Sequence, residues 1–306
     1  LYLHYISKHQ TTMKRIFLVI AVLAFAVAAQ AQLLWKVSGN GLGRPSYVMG
    51  TYHFAPASMI DKIPGMDRAF EGCDIVIGEL EKESMVGAEA QALAAQAMMA
   101  PADSTLDKLY SPEDYAIIEG VFNKYFGSMG VRLDQMRMLK PMAISVQMQA
   151  MQAIKYFPNL DPNSLIDVAV QTRANNAGRP SMALESVEEQ IDLLFNAPLT
   201  DQAVGLLESC KNDDKFTMLS TALVEAYLSQ DLDKIQAVLD DPELNGEEDA
   251  SMEALIYNRN RNWASKLQAI MPERACLVCV GAGHLPGDKG LLQLLREAGY
   301  TVEPMQ

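Results

Sequence analysis

Apolar positions along the chain form two kinds of pattern. Short, nearly continuous runs bounded by glycine or charge read as buried strands, and longer stretches with apolar residues three and four apart read as helices. The strand-like runs are Leu33–Val37, Tyr47–Met49, Asp74–Glu81, Arg179–Glu185, Ala275–Val280 and Tyr300–Val302. The glycine-rich stretch Ser38–Pro45 reads as a hairpin turn joining the first two. Ala57–Glu71 reads as one or two short helices interrupted by Pro64.

The helical pattern fills Ser84–Asn176, resumes from Val187 to about Leu239, and returns in Met252–Ile270 and Leu291–Ala298. Local signals punctuate it. Ser111-Pro112-Glu113 places a capping hydroxyl before a proline at the first helical position. Ser186-Val187-Glu188-Glu189 has capping-box spacing, and Gly178 and Gly299 stand where helices should stop. Met142, Met148 and Met151 load a helix beginning near Pro141, as adaptable core filler or as a flexible binding surface. The acidic stretch 240–249 reads as a solvated connection. Strands alternating with helices define the class: α/β, with a mixed, largely parallel sheet and helical insertions over about 84–176 and 187–270.

The N-terminus has a different character. Met13-Lys14-Arg15 precedes an apolar run from Ile16 to Ala29, and Ala29-Gln30-Ala31 matches a cleavage site with Gln32 after it. Residues 1–31 are therefore read as an upstream extension plus a signal peptide starting at Met13, and 32–306 as a single α/β domain, periplasmic or secreted. The apolar run is short for a membrane span, so no stable span is expected after cleavage. The 306-residue chain has formal charge −13, and removing 1–31, with three basic and no acidic residues, takes it to −16. That balance argues against nucleic-acid binding.

The four cysteines are Cys73, Cys210, Cys276 and Cys279. Disulfides are open to an exported protein. However, Cys276 and Cys279 lie three apart on one strand and read as core residues on opposite faces. No second CxxC exists to complete a zinc ribbon.

Candidate chemistry collects at strand ends. Of four histidines, His4 and His9 lie upstream of the cleavage site, leaving His53 and His284. Each follows a strand and a glycine: Gly50-Thr51-Tyr52-His53 and Gly281-Ala282-Gly283-His284. Two other runs end on carboxylates, one on Glu79 (with Glu81 on the same face if the strand continues) and the other on Glu185. In a parallel sheet these four ends share one edge, where ligands bind. Two imidazoles with a carboxylate suit a divalent ion with an open position. A remaining carboxylate could act as a base and an arginine could stabilise an oxyanion. Arg259 and Asn260 stand in an arginine- and amide-rich stretch, Tyr257–Trp263, that otherwise reads as a solvated helix face.

The same residues resemble the motifs of a known family. Gly50–His53 and Gly281-Ala282-Gly283-His284-Leu285-Pro286-Gly287 are similar to its two G-x-x-H motifs. Gly78-Glu79-Leu80-Glu81 resembles its acidic strand end, Leu184–Gln190 its L-E-[TS]-x-x-E-Q stretch, and Arg259-Asn260 with Trp263 its R-N-x-x-W helix. The family is TraB/GumN, related to the Tiki proteases that act on Wnt proteins. The resemblance implies a Tiki/EreA/ChaN-like fold and a metal-dependent hydrolase, a peptidase acting on a peptide or protein substrate. It implies His53, Glu79 and His284 as metal or catalytic residues, Arg259 and Asn260 as their support, and Glu185 as a further catalytic candidate. The ion would be Mn²⁺, Co²⁺ or Zn²⁺. Two other readings compete: a non-catalytic protein sequestering a peptide or haem-like ligand, and two histidines with purely structural roles.

Overall fold

The computed structural model describes residues 32–158, 160–242 and 252–305. The signal-peptide reading of 1–31 and most of the acidic connection lie outside the described residues. Six strands form one sheet: β1 Leu34–Gly39, β2 Ser46–Thr51, β3 Ile75–Gly78, β4 Ser181–Ala183, β5 Cys276–Gly281 and β6 Tyr300–Pro304. Their spatial order is β4-β3-β5-β2-β1-β6. The first four in that order run parallel. β1 pairs antiparallel with β2 across the hairpin, and β6 antiparallel with β1. The class is the one expected, a mixed and largely parallel α/β sheet.

α1 (Met66–Gly72) follows a 3₁₀ turn at Ala57–Lys62. Between β3 and β4 come α2 (Lys82–Val86), α3 (Ala88–Ala97), α4 (Leu106–Leu109), α5 (Pro112–Phe126), α6 (Pro141–Tyr156) and α7 (Ile166–Asn176). Between β4 and β5 come α8 (Val187–Phe195), α9 (Leu199–Lys211), α10 (Asp213–Leu228), α11 (Leu232–Leu239) and α12 (Asn258–Ile270); α13 (Leu291–Glu297) precedes β6. The helix signals hold. Ser111 accepts from Asp114 N with Pro112 at the first helical position, and Ser186 and Glu189 complete a reciprocal capping box.

Two apolar clusters divide the molecule. The larger surrounds the sheet, where Val76, Ile77, Leu277 and Val278 pack with Ile166 and Val170 of α7 and Trp263 and Leu267 of α12. The smaller belongs to the insertions: Ile118 and Phe122 of α5, Ile144 and Met148 of α6, and Leu206 and Cys210 of α9. Met148 is therefore core filler, and Met151 packs against the same cluster. All four cysteines are buried free thiols. No helix among the described residues is long and apolar enough to cross a membrane.

Two strands stop earlier than the sequence pattern suggests. β3 ends at Gly78, where a side chain would meet Gln171 Nε2 at 2.6 Å and the Leu80 carbonyl at 2.8 Å, so the turn that follows needs glycine. The chain turns at once, burying Glu79 and leaving Glu81 exposed, so the two carboxylates share no strand face. β4 keeps only Ser181–Ala183, since this edge strand pairs with β3 alone and β3 is itself short.

Candidate active site at the strand ends

Register brings the four candidate strand ends level. Thr51 stands opposite Gly281, and Gly78 opposite both Cys279 and Ala183. His53, Glu79, Glu185 and His284 thus leave the sheet at one edge, as the parallel topology requires. Two glycines permit this closeness. A side chain at Gly50 would meet Ala282 Cβ at 3.0 Å, in the turn carrying His284. A methyl at Gly281 would lie 3.3 Å from Glu79 Oε1, 3.5 Å from His284 Cδ2 and 3.6 Å from His53 Nε2. Three of the expected side chains therefore face the space above one glycine.

Each imidazole is anchored through Nδ1. His53 Nδ1 donates to Asp167 Oδ2 at 2.9 Å. His284 Nδ1 donates to Asn260 Oδ1 at 2.7 Å. The Asn260 amide is oriented because its Nδ2 donates to the carbonyls of His284 and Lys289. Both rings therefore direct Nε2 inward. His53 Nε2 lies 3.9 Å from Glu79 Oε1. His284 Nε2 accepts from Arg259 Nη1 at 3.1 Å, and its ring packs on Trp263 with centroids 4.4 Å apart.

Arg259 ties the carboxylates together. Nε donates to Glu185 Oε1 at 2.9 Å, Nη2 to Glu185 Oε2 at 2.9 Å and to Glu79 Oε2, and Nη1 also to the Leu255 carbonyl at 2.9 Å. Leu255 lies in a π-helical turn, Glu253–Tyr257, that leads into α12. Glu185 further accepts from Trp263 Nε1 and Gln190 Nε2. Glu79 accepts from Gly281 N at 2.7 Å and from Gln190. The arginine- and amide-rich stretch is solvated on one side only: Asn258, Arg261 and Asn262 are exposed, while Asn260 and Trp263 are fully enclosed. As the chain sits, every N–H direction of Arg259 is engaged and both Glu185 oxygens are held.

Charge decides the protonation states of His53 and Glu79, and burial that of His284. Burial opposes charge on His53, but its side chain keeps 60% of its surface. Asp167 at Nδ1 and Glu79 beyond Nε2 prevail and raise its pKa to about 9. Burial would raise Glu79, yet both imidazoles, Arg259 and the Gly281 N–H hold it at about 2. Burial dominates at His284, with Arg259 adding to it, and lowers that pKa to about 3, so the ring is neutral.

The donor chemistry fits a divalent ion in kind. The 3.9 Å between His53 Nε2 and Glu79 Oε1 is within reach of two bonds of about 2.1 Å each. Nδ1 anchoring is how metal-binding imidazoles are commonly held. His284 Nε2 now faces Arg259, and the described residues contain no closed cluster of three ligands. Asp167 is the member that sequence reasoning missed, and Gln190, the last residue of the L-E-[TS]-x-x-E-Q stretch, was given no role there. Asp167 resembles any acidic residue in a first helical turn, and Gln190 is a helix residue whose neighbours only the sheet brings near.

The fold and centre describe an α/β protein with a histidine–carboxylate–arginine cluster at the carboxyl edge of a parallel sheet. The chain belongs to the TraB/PrgY/gumN family, whose profile matches residues 33–304. It is 32% identical over 155 residues to protein YbaP of Escherichia coli (strain K12), covering 50% of this chain and 55% of that one, and equally to YbaP of Shigella flexneri. It is 24% identical over 165 residues to metalloprotease TIKI2 of Danio rerio, covering 45% of this chain and 32% of that one. The chain spans about half the length of the YbaP proteins it matches. No solved structure matches.

Proposed function

We propose that this protein is an exported, metal-dependent hydrolase acting on peptides. Its divalent ion, Mn²⁺, Co²⁺ or Zn²⁺, would be held by His53, Glu79 and His284. One observation carries the reading: two imidazoles from separate strand ends, each fixed through Nδ1, border the space above Gly281 that Glu79 also faces, His53 with Nε2 and His284 with its Cδ2 edge. Charge supports it, because Glu79, Glu185 and Asp167 outnumber the two cations of the cluster, Arg259 and the protonated His53, and leave it negative. The likeness to a metalloprotease supports it further. The N-terminal sequence supports export.

A bound ion would polarise a carbonyl and lower the pKa of water. The chain's own groups have separate tasks. Asp167 and Asn260 hold the imidazoles in one tautomer and orientation. Arg259 fixes Glu79 and Glu185 relative to each other and offers Nη1 to His284, which must turn from that contact to act as a ligand. Glu185, held by Arg259, Trp263 and Gln190, keeps the arginine in place. Gln190, donating to both glutamates, borders the adjoining cavity.

The test is elemental analysis of chain purified without chelator, beside a His53→Ala/His284→Ala variant. Near-stoichiometric metal in the first and none in the second is expected. Equal metal in both would overturn the assignment. An apolar cavity of about 390 Å³ beside the centre supports the second reading, a protein that sequesters a peptide or haem-like ligand. Prolonged incubation with peptides would then give no product by mass spectrometry.

A further inference from the structure

Two separate cavities meet the centre, and His53 is the one residue common to their linings. The larger, about 390 Å³, has His53, Glu79 and Gln190 at its polar end. Its wall includes Met85 and Val86 of α2, Met98 after α3, Val168 of α7, and Ile191 and Leu194 of α8. Most of these are only half-buried, so apolar surface is left facing an opening, where covering it is favourable. The charged residues of that lining are His53, Glu79 and Asp167, all part of the centre.

The smaller cavity, about 260 Å³, is lined by Leu223 and Tyr227 of α10, Ile235 and Leu239 of α11, and Leu255 and Ile256. Its charged members are His53 and Arg259, which with the neutral His284 belong to the centre itself. Thr51 also lines it, with a buried hydroxyl that has no partner among the described residues.

An apolar cavity of about 150 Å³ is enough for benzene. On that scale the larger cavity has room for roughly two leucine- or phenylalanine-sized groups and the smaller for about one. Successive side chains of an extended peptide point to opposite sides, so a chain crossing His53 can place neighbouring residues in different cavities.

We infer that the centre takes a peptide segment with bulky apolar residues, of the leucine, methionine or phenylalanine type, on both sides of the bond it acts on. This rests on the hydrolytic reading. The reaction is amide hydrolysis: the C–N bond breaks, water's oxygen joins the carbonyl carbon, and its proton goes to the leaving amine. Among the described lining residues charge is confined to the centre, which selects against acidic and basic neighbours through the cost of burying them unpaired.

The test separates binding from turnover. Isothermal titration of the Glu79→Gln chain compares Ac-Ala-Leu-Phe-Leu-Ala-NH₂ with Ac-Ala-Ser-Thr-Ser-Ala-NH₂, and mass spectrometry follows both with Mn²⁺-loaded unsubstituted chain. The apolar peptide should bind about tenfold tighter or more and be the one cleaved. Ile191→Asp in the larger cavity and Leu223→Asp in the smaller should each weaken it at least fivefold. Ile191→Ala, which adds no charge, should weaken it less, and melting curves identify any variant that fails to fold. Equal affinity for the two peptides overturns the inference. So does binding of octanoate when neither peptide binds, which would assign the cavities to an acyl chain. Tight apolar binding without product overturns the hydrolytic reading and leaves the cavities as a peptide-binding site.

Discussion

Arg259 donates Nη1 to His284 Nε2 at 3.1 Å while its Nη2 bonds Glu79 and Glu185. One buried cation thus faces the lone pair of a neutral imidazole and binds two carboxylates. Replacing Arg259 with methionine leaves both glutamates buried without their cation. We expect a loss of about 3–5 kcal/mol in chemical denaturation. An Arg259→Met/Glu185→Gln variant should recover part of it, and simple additivity of the two losses would show that the pair is not coupled.

Asp167 is 114 residues from His53 in sequence and 2.9 Å from it in space. Asp167→Asn removes the charge that favours the imidazolium. The His53 pKa should fall from about 9 toward its ordinary 6.5, read by NMR titration in chelator. Metal affinity should fall about 10- to 100-fold, the usual cost of losing such an anchor. An unchanged His53 titration would remove Asp167 from the centre.

Gly281 has an ordinary extended backbone, with φ −51° and ψ 133°, so alanine fits the conformation. Its methyl, however, enters the space shared by Glu79, His284 and His53. Gly281→Ala should melt within a few degrees of the unsubstituted protein and lose at least tenfold in metal affinity. Equal losses of stability and affinity would mean that the glycine serves packing alone.

Stability of the metal-free protein should peak near pH 6.5. His284 is lowered to about 3 in the fold, so its contribution is present above 6.5 and is lost as pH falls toward 3. His53 is raised to about 9, so its contribution is complete below 6.5 and is lost as pH rises through 9. Melting temperatures across pH 3–10 in chelator should show both limbs. His284→Gln should flatten the acid limb and His53→Gln the alkaline one; a limb unmoved by its variant would refute that assignment.

Several site residues could be read in the sequence because local chemistry marks them. The two histidines follow apolar runs that read as buried strands, and each is preceded by a glycine three positions earlier, which allows the turn carrying His284 to pack on Gly50 and Glu79, His53 and His284 to crowd over Gly281. Glu185 was visible because the strand-like run Arg179–Glu185 ends on it, directly before a capping box. Asp167 carried no such mark, and Gln190 was marked only by its motif.

The sequence by itself determined the elements, the α/β class and the placing of chemistry at strand ends. Those depend on periodicity and capping, which act over a few residues. Tertiary structure decided which ends meet. The register of β2, β3, β4 and β5 aligned four distant segments, the short β3 separated Glu79 from Glu81, and the packing of α7 and α12 brought Asp167 and Arg259 to the histidines. Such contacts arise from burying whole faces of elements against one another, and no local pattern encodes the partner a side chain will meet across the fold.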